Sequence, residues 1–447
     1  MGIAVDSSEA MQSETRAMAF AGVVARIFNA GVVFLTQVLF ARMMGASEFG
    51  IYATANTLML LVAAFATLGL AVMPQRFWPE YEGKSDVARL RGLARFASWG
   101  PFAIGSVFAL GGALAAVLAR DLISPSVATA TCIAMLTVPA MASLDVIEGI
   151  ALTKAWKGLA YGVAFVVRPL IVPLVFLCTW LAGVSPDATH AMASLVVATW
   201  VAAFLLLVLV RRRIGAILPR GDAVHEHRRW VRTGLPVMLI DGVFILMTST
   251  DVVLLAIFHN DIEVGAYSAA ARLVALVAFV HHGITWASGH HFSALYHAGK
   301  TAELAAYAAK TTRWTFLPSV AAAVLMALLA PLLLMLFGKG FEGGGVITAV
   351  LLLGLLARAA VGPAEQLLVM TDNQIACAYA YGWAFVVNFA LCLVLVPVYG
   401  GVGAAFSTAC GYAAASLIIA REVKARLGFS VHIFALVRQR SQVPQHG

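Results

Sequence analysis

The chain has 447 residues, of which 61% are hydrophobic and only 12% charged, and its mean hydropathy is +0.90. A water-soluble globule carries about 25% charged residues, so the main solvent is lipid and a soluble globular enzyme is excluded. The formal net charge of +8 does not call for nucleic acid, because basic residues of membrane proteins collect in cytoplasmic loops that face anionic lipid.

Only helices and closed barrels satisfy their backbone groups in hydrocarbon, and the sequence has no ten-residue alternating strands, so the apolar runs are predicted as helices. The segment Met1 to Glu14 carries acids instead of a basic leader region, and the first apolar run is too long for a signal sequence, so the first helix is expected to stay. Apolar windows of about twenty residues, each enough to span about 30 Å of hydrocarbon, lie near 17–41, 50–73, 96–119, 126–151, 158–183 and 190–210. A strongly basic break, Arg211 to Arg232, follows. Six more windows lie near 234–258, 265–290, 314–338, 345–370, 374–398 and 400–420. The expectation is an all-α membrane protein with twelve transmembrane helices in two six-helix lobes: an N-lobe over 1–210, a basic cytoplasmic linker over 211–233, a C-lobe over 234–420 and a cytoplasmic tail over 421–447.

With both termini in the cytoplasm, 23 of the 30 Lys and Arg fall on inside segments and three (Arg42, Arg120, Lys339) on outside loops. The reverse orientation places Arg211, Arg212, Arg213, Arg228, Arg229 and Arg232 outside, against the positive-inside bias. The outside loops are too short to hold a catalytic domain. All five cysteines lie in apolar runs without a CxxC pair and read as small apolar filler.

An internal repeat supports two related halves. Ala41, Glu48, Gly50, Tyr52 and Ala55 recur 215 residues later as Ala256, Glu263, Gly265, Tyr267 and Ala270. Likewise Tyr161 to Val167 (YGVAFVV) reappears as Tyr381 to Val387 (YGWAFVV), with Arg168 answered by Asn388. Parallel repeats of this kind imply halves related by an axis along the membrane normal, with a transport site at their interface.

Four arginines, Arg26, Arg168, Arg272 and Arg358, sit inside spans, where an unpaired guanidinium facing lipid costs about 2.5–3.5 kcal/mol. Arg272 lies near an outer end, within reach of the interface by snorkelling. Arg26, Asn29, Val33 and Gln37 fall within about 80° of one another at 100° per residue, a largely polar stripe suited to a cavity. Arg358 and Glu365, two turns apart, either pair or share a lumen. Asp145 and Glu148 on the fourth span, Asp241 and Asp251 on the seventh, and Glu365 are the intramembrane acids, candidates either to carry a coupling ion or to hold the arginines. His281, His282, His290 and His291 show no HxxxH or HExxH spacing, so no metal site is expected, and no nucleotide-binding or nucleophile motif suggests a cofactor.

The segment Ala41 to Tyr52 (ARMMGASEFGIY) closely resembles the first outer loop of polysaccharide-biosynthesis flippases. Asp251 to Leu273, with VGAYSAAAR at Val264 to Arg272, resembles a second element of that family, and Val396 to Ala405 (VPVYGGVGAA) a third. These cover both halves in the family's order and spacing. The chain is therefore identified as similar to Wzx-type O-antigen and exopolysaccharide flippases, which share a MATE-like superfamily with multidrug extrusion transporters and the lipid II flippase. The turn glycines Gly45, Gly50, Gly265 and Gly403 are carried over as structural positions.

The resemblance implies a bacterial inner-membrane protein, without enzyme activity or cofactor, that moves an undecaprenyl-diphosphate-linked oligosaccharide from the cytoplasmic to the periplasmic leaflet by alternating access. Membrane lipids, a polysaccharide polymerase and a chain-length regulator are the implied partners; nucleic acid is not. An arginine-lined lumen suits a diphosphate, because guanidinium groups supply directed charge-assisted hydrogen bonds. Arg26, Arg168 and Arg358 are the leading substrate-binding candidates, with Arg272, Asn29 and Gln37 beside them. Two alternatives remain: an ion-coupled drug extruder of the same fold, and a membrane-embedded polymerase or glycosyltransferase, for which the outer loops are small.

Overall fold

Backbone amides and carbonyls in hydrocarbon must pair along their own segment. In the computed structural model, the described residues accordingly form helices and no strands. The structure describes residues 2–433, with side chains from residue 22 onward apart from those of residues 280, 286 and 287. The expected tail beyond 433 lies outside the described residues.

Helix α1 (Gly2–Ala66) is followed by α2 (Met73–Gly83), α3 (Val87–Leu118), α4 (Pro125–Met135), α5 (Val138–Thr153), α6 (Lys157–Gly162), α7 (Arg168–Leu181) and α8 (Ala188–Ile217). Then come α9 (His227–Phe258), α10 (Asp261–His297), α11 (Thr301–Met335), α12 (Gly344–Ala359), α13 (Ala364–Met370) and α14 (Gln374–Leu427). Among the described residues, nine segments are long and apolar enough to cross a membrane, and ten when the bent pair α12 and α13 is taken as one. The protein is a multi-pass membrane protein.

Helices α1 and α14 are too long for one crossing each. At 1.5 Å per residue, Gly22–Ala66 would extend about 68 Å, against about 30 Å of hydrocarbon. Each is broken by a glycine of positive φ: Gly45 (φ 82) in α1 and Gly400 (φ 52) in α14. Taking the stretches on either side separately is consistent with the twelve predicted spans. The Gly400 break is held from α10, where Glu263 accepts from the Gly401 N–H at 2.7 Å and meets His259 Nδ1 at 2.9 Å.

Prolines account for the other interruptions, because each lacks an N–H and crowds the carbonyl four residues back. Pro139 lies just after the α4–α5 break, and Pro363 separates α12 from α13 with a bend of 41°. Pro169 follows a five-residue π segment, Val163–Val167, in which the Arg168 N–H donates to the Val163 carbonyl.

The chain forms two compact units. The first comprises Met1–Met44 and Thr54–Gly242, the second Gly45–Ala53 and Val243–Gly447. In the first, Leu70, Phe77, Trp78, Tyr81, Phe96 and Trp230 share a core in which α2 buries Met73, Pro74, Phe77, Trp78 and Tyr81. That spacing is one helical face, so a short helix lies between the second and third predicted spans. The basic linker is docked on this unit: Arg91 donates to the carbonyls of Pro219 (2.7 Å) and Asp222 (3.0 Å), and Val224 N to Ala88 O at 3.0 Å.

In the second unit, the repeated glycines meet each other. A Cβ on Gly50 would lie 1.8 Å from the Asp261 carbonyl, and one on Gly265 2.3 Å from the Ala46 carbonyl. Residues that correspond across the repeat thus pack together, with Phe49 wedged against Phe337 and Phe341 at ring separations of 6.2 and 5.7 Å. The obstructing atoms are backbone, so Gly50→Val should destabilise the second unit by about 2–3 kcal/mol. Gly111→Ala, with nothing within 4 Å, should be neutral or stabilising by at most about 1 kcal/mol. Thermal unfolding in detergent compares them; equal melting temperatures would remove the packing role assigned to Gly50.

Candidate functional site

The in-membrane arginines form two groups, one in each unit. In the first unit, Arg26 on α1 is half-buried, its guanidinium carbon 5.8 Å from the Tyr161 ring centre and 5.5 Å from that of Phe165. Asp145 and Glu148, both half-buried on α5, lie in the field of Arg168, and Glu148 also in that of Arg26. Four of the predicted residues are therefore neighbours. The π segment before Arg168 adds one residue to its turn and so changes which side of the helix that arginine presents; such bulges recur at functional sites. Asn29 is half-buried, Gln37 buried, and Asp241 exposed on the part of α9 that belongs to this unit.

In the second unit, Arg358 Nη2 pairs with Glu365 Oε2 at 3.0 Å and approaches the Tyr381 hydroxyl at 3.5 Å, while that hydroxyl donates to Glu365. The rings of Phe244 and Tyr412 lie 5.9 Å from the same guanidinium. Of the two arrangements the sequence allowed, pairing is the one adopted. Glu365 and Tyr381 both engage Nη2, and a guanidinium has five donor hydrogens, so the ion pair leaves donors for an anion. The pocket that these groups line with His281 has about 10 Å³, room for about one water.

Asp251 is in a different setting. It is 4% exposed, accepts from Thr408 Oγ1 at 2.9 Å and from the Tyr267 hydroxyl, and has no cationic partner among the described residues. Asn388, the repeat counterpart of Arg168, donates to Thr408 at 3.2 Å. Asp241 and Asp251 share a face of α9 by angle but belong to different units. Arg272 is half-buried within electrostatic reach of Tyr52.

Tyrosine partners were not assigned from the sequence, although a signal for them was present. Tyr161 beside Arg26 and Tyr381 beside Arg358 are corresponding residues of the repeat, and Tyr267 on Asp251 is another repeated position.

A polar network fastens the linker to α2. Tyr81 donates to Glu226 at 2.5 Å, Arg89 Nε to Glu226 at 3.0 Å, and Arg229 to both Glu226 and Glu80 at 3.0 and 2.9 Å. Hydrogen bonds from Lys84 and Arg229 hold the Glu80 carboxyl at about 2, and the Tyr81 hydroxyl holds Glu226 below the usual range. Burial, followed by the bond to Glu226, pushes Tyr81 up to about 12.

A family profile described as "Polysaccharide biosynthesis protein" matches residues 17–286. The chain belongs to this family. No curated protein matches it by sequence. Among solved structures, the inward-facing form of a multidrug resistance MATE family transporter of the MOP superfamily superposes with a TM-score of 0.70 at 13% identity, over 94% of this chain and 100% of that one. The lipid II flippase MurJ, in an inward closed conformation, gives 0.72 at 15% identity over 95% and 93%. A MOP superfamily transporter from Pyrococcus furiosus, noted for the reverse polarity of its binding pocket, gives 0.65 at 13% over 92% and 95%. This member of the polysaccharide biosynthesis family therefore has the MATE-like fold that its sequence led one to expect.

Two measurements probe these contacts. In a double-mutant cycle, Arg358→Gln and Glu365→Gln together should cost less than the sum of the singles by about 1–2 kcal/mol, since each single strands a partly buried charge; strict additivity would dissolve the pair. For the linker, a lowered carboxylate pKa contributes stability that is complete above the unfolded value and fades as pH falls through the folded one. The ratio of amide exchange rates between Glu80→Gln and the natural protein at residues 219–227 should thus be largest above about pH 4.5 and approach one near pH 2. A ratio that does not change with pH contradicts the tether.

Proposed function

We propose that the protein is a flippase that moves undecaprenyl-diphosphate-linked oligosaccharide repeat units from the cytoplasmic to the periplasmic leaflet of the bacterial inner membrane, for O-antigen, capsule or exopolysaccharide assembly. Membership of the polysaccharide biosynthesis family supports the process, and the likeness to a lipid II flippase supports a lipid-linked cargo for this fold. The observation that carries the reading is the placement of arginines in membrane-spanning helices of both units: Arg26 and Arg168 in one, Arg358 in the other. Both termini are cytoplasmic in this reading, following the basic segments.

The chemistry follows from charge. A diphosphate crossing a low-dielectric region needs cations that remain charged and hydrogen-bond in two directions, which arginine supplies better than lysine. In an alternating-access cycle, Arg26, Arg168 and Arg358 are the residues assigned to the diphosphate, with Arg272, Asn29 and Gln37 as the further substrate-binding candidates. Asp251, with its hydroxyl neighbours, and Asp145, Glu148, Asp241 and Glu365 are the acids assigned to ion coupling. A polysaccharide polymerase and a chain-length regulator are the partner proteins in this reading.

In proteoliposomes loaded with a lipid-linked oligosaccharide, Arg168→Ala and Arg358→Ala should slow translocation about 10- to 100-fold, the worth of one charge-assisted hydrogen bond. Lysine at either position should recover part of the rate. Surface polysaccharide in a flippase-deficient strain gives the same order. Unchanged transport in all four variants at equal protein levels removes the arginine pathway. Energised drug efflux without lipid flipping instead identifies an ion-coupled multidrug extruder, a reading favoured by the likeness to a multidrug resistance MATE family transporter.

A further inference from the structure

The first unit carries an open cleft of about 940 Å³ beside α2 and the start of α9, whose lining holds Arg76, His225, His227, Arg228, Arg229 and Arg232 with one acid, Glu226. Its charges are sorted unevenly. The acids nearby are already engaged: Glu80 and Glu226 hold Arg229, and Asp86 and Glu226 hold Arg89. Arg76, Arg228 and Arg232 are exposed and have no carboxylate partner among the described residues. Membrane topology requires basic residues at this face but not a concave surface, nor the concentration of uncommitted guanidinium groups around it.

The cleft also runs into an apolar surface. At 100° per residue, Arg228, Arg232, Leu235 and Leu239 fall within about 60° on α9, a stripe that is cationic at its polar end and apolar along the next two turns. Leu235 and Leu239 are 39% and 58% exposed, and Pro236, on the same side, lines the cleft. An anion seated among the arginines would therefore have its continuation lying along side chains suited to acyl or prenyl tails.

We infer that this cleft seats the phosphate or diphosphate headgroup of a membrane lipid, held by Arg76, Arg228 and Arg232, with the lipid's tails along the Leu235 and Leu239 face. The arginines provide the forked donors that phosphate oxygens accept, and continuity with the apolar stripe selects a lipid over a soluble anion. The inference does not rest on the transport cycle proposed above: it holds for an anionic phospholipid and for a polyprenyl diphosphate alike.

Native mass spectrometry of the purified full-length protein, titrated in neutral detergent with phosphatidylglycerol, a polyprenyl diphosphate or inorganic pyrophosphate, tests it. Arg228→Gln/Arg232→Gln should weaken at least one of the two lipids by on the order of tenfold. Lys310→Gln/Arg313→Gln, which removes the same charge from the second unit, should leave both within about twofold of the natural protein. Lysine at 228 and 232 should recover part of the affinity, because it keeps the charge but not the forked donors. An effect on both lipids supports a general anionic-lipid seat, and an effect on the polyprenyl diphosphate alone supports a station for that carrier. Should the glutamine double fail to fold, judged by elution and helicity, Arg76→Gln on α2 is read against the same controls. Equal weakening by the cleft and control doubles, no weakening in either, or pyrophosphate binding as tightly as the lipids would overturn the assignment.

Discussion

Everything in this molecule depends on the cost of an unpaired backbone amide or carbonyl in hydrocarbon. Unbroken helix satisfies those groups, so each departure from it has a local chemical cause. Gly45 and Gly400 adopt conformations that a side chain would oppose, Pro139 and Pro363 remove a donor, and Pro169 follows a π turn that re-pairs the chain through the Arg168 amide. The Gly400 break adds a side-chain acceptor, because Glu263 takes the Gly401 N–H. The same economy explains the contact between Gly50 and Gly265, where two backbones approach closely enough to exclude a methyl group.

Against that apolar background, the polar side chains inside the spans are few and grouped. Arg26 and Arg168 are near Asp145 and Glu148 in one unit, while Arg358 is bound to Glu365 and Tyr381 in the other. Charges in such surroundings are retained only when partners offset their desolvation, so each arginine comes with an acid or an aromatic ring. Asp251 follows another rule: hydroxyl donors from Tyr267 and Thr408 satisfy it without a cation. The repeat makes the contrast informative. Arg168 and Asn388 occupy equivalent places, one beside a pair of acids and the other tied to Thr408, so two halves of common pattern have been given different chemistry.

At the basic face, the carboxylates divide the arginines into two populations. Arg89 and Arg229 serve the structure by fastening the linker to α2 through Glu226 and Glu80. Arg76, Arg228 and Arg232 are left facing an open cleft. Counting basic residues in the sequence makes these groups equivalent; only their partners distinguish them.

Hydropathy and punctuation made much of the fold legible: long apolar runs, glycine and proline breaks, a repeat offset by 215 residues, and the glycine-turn motifs that lead to the family. These are properties of local chain chemistry in lipid, where a run of about twenty apolar residues has essentially one satisfactory conformation. The sequence also located the arginines and acids, since a charge inside such a run is conspicuous. It did not reveal α2, whose buried face is too short to register as a span, or the π turn before Arg168. Nor did it decide that Arg358 closes on Glu365, that Tyr161 and Tyr381 accompany the arginines, or that Asp251 is enclosed by hydroxyls while Asp241 on the same helix is exposed. Those outcomes depend on which helices become neighbours. Periodicity gives the side of a helix on which a residue lies, but only the packing of the other helices against that side determines what the residue meets.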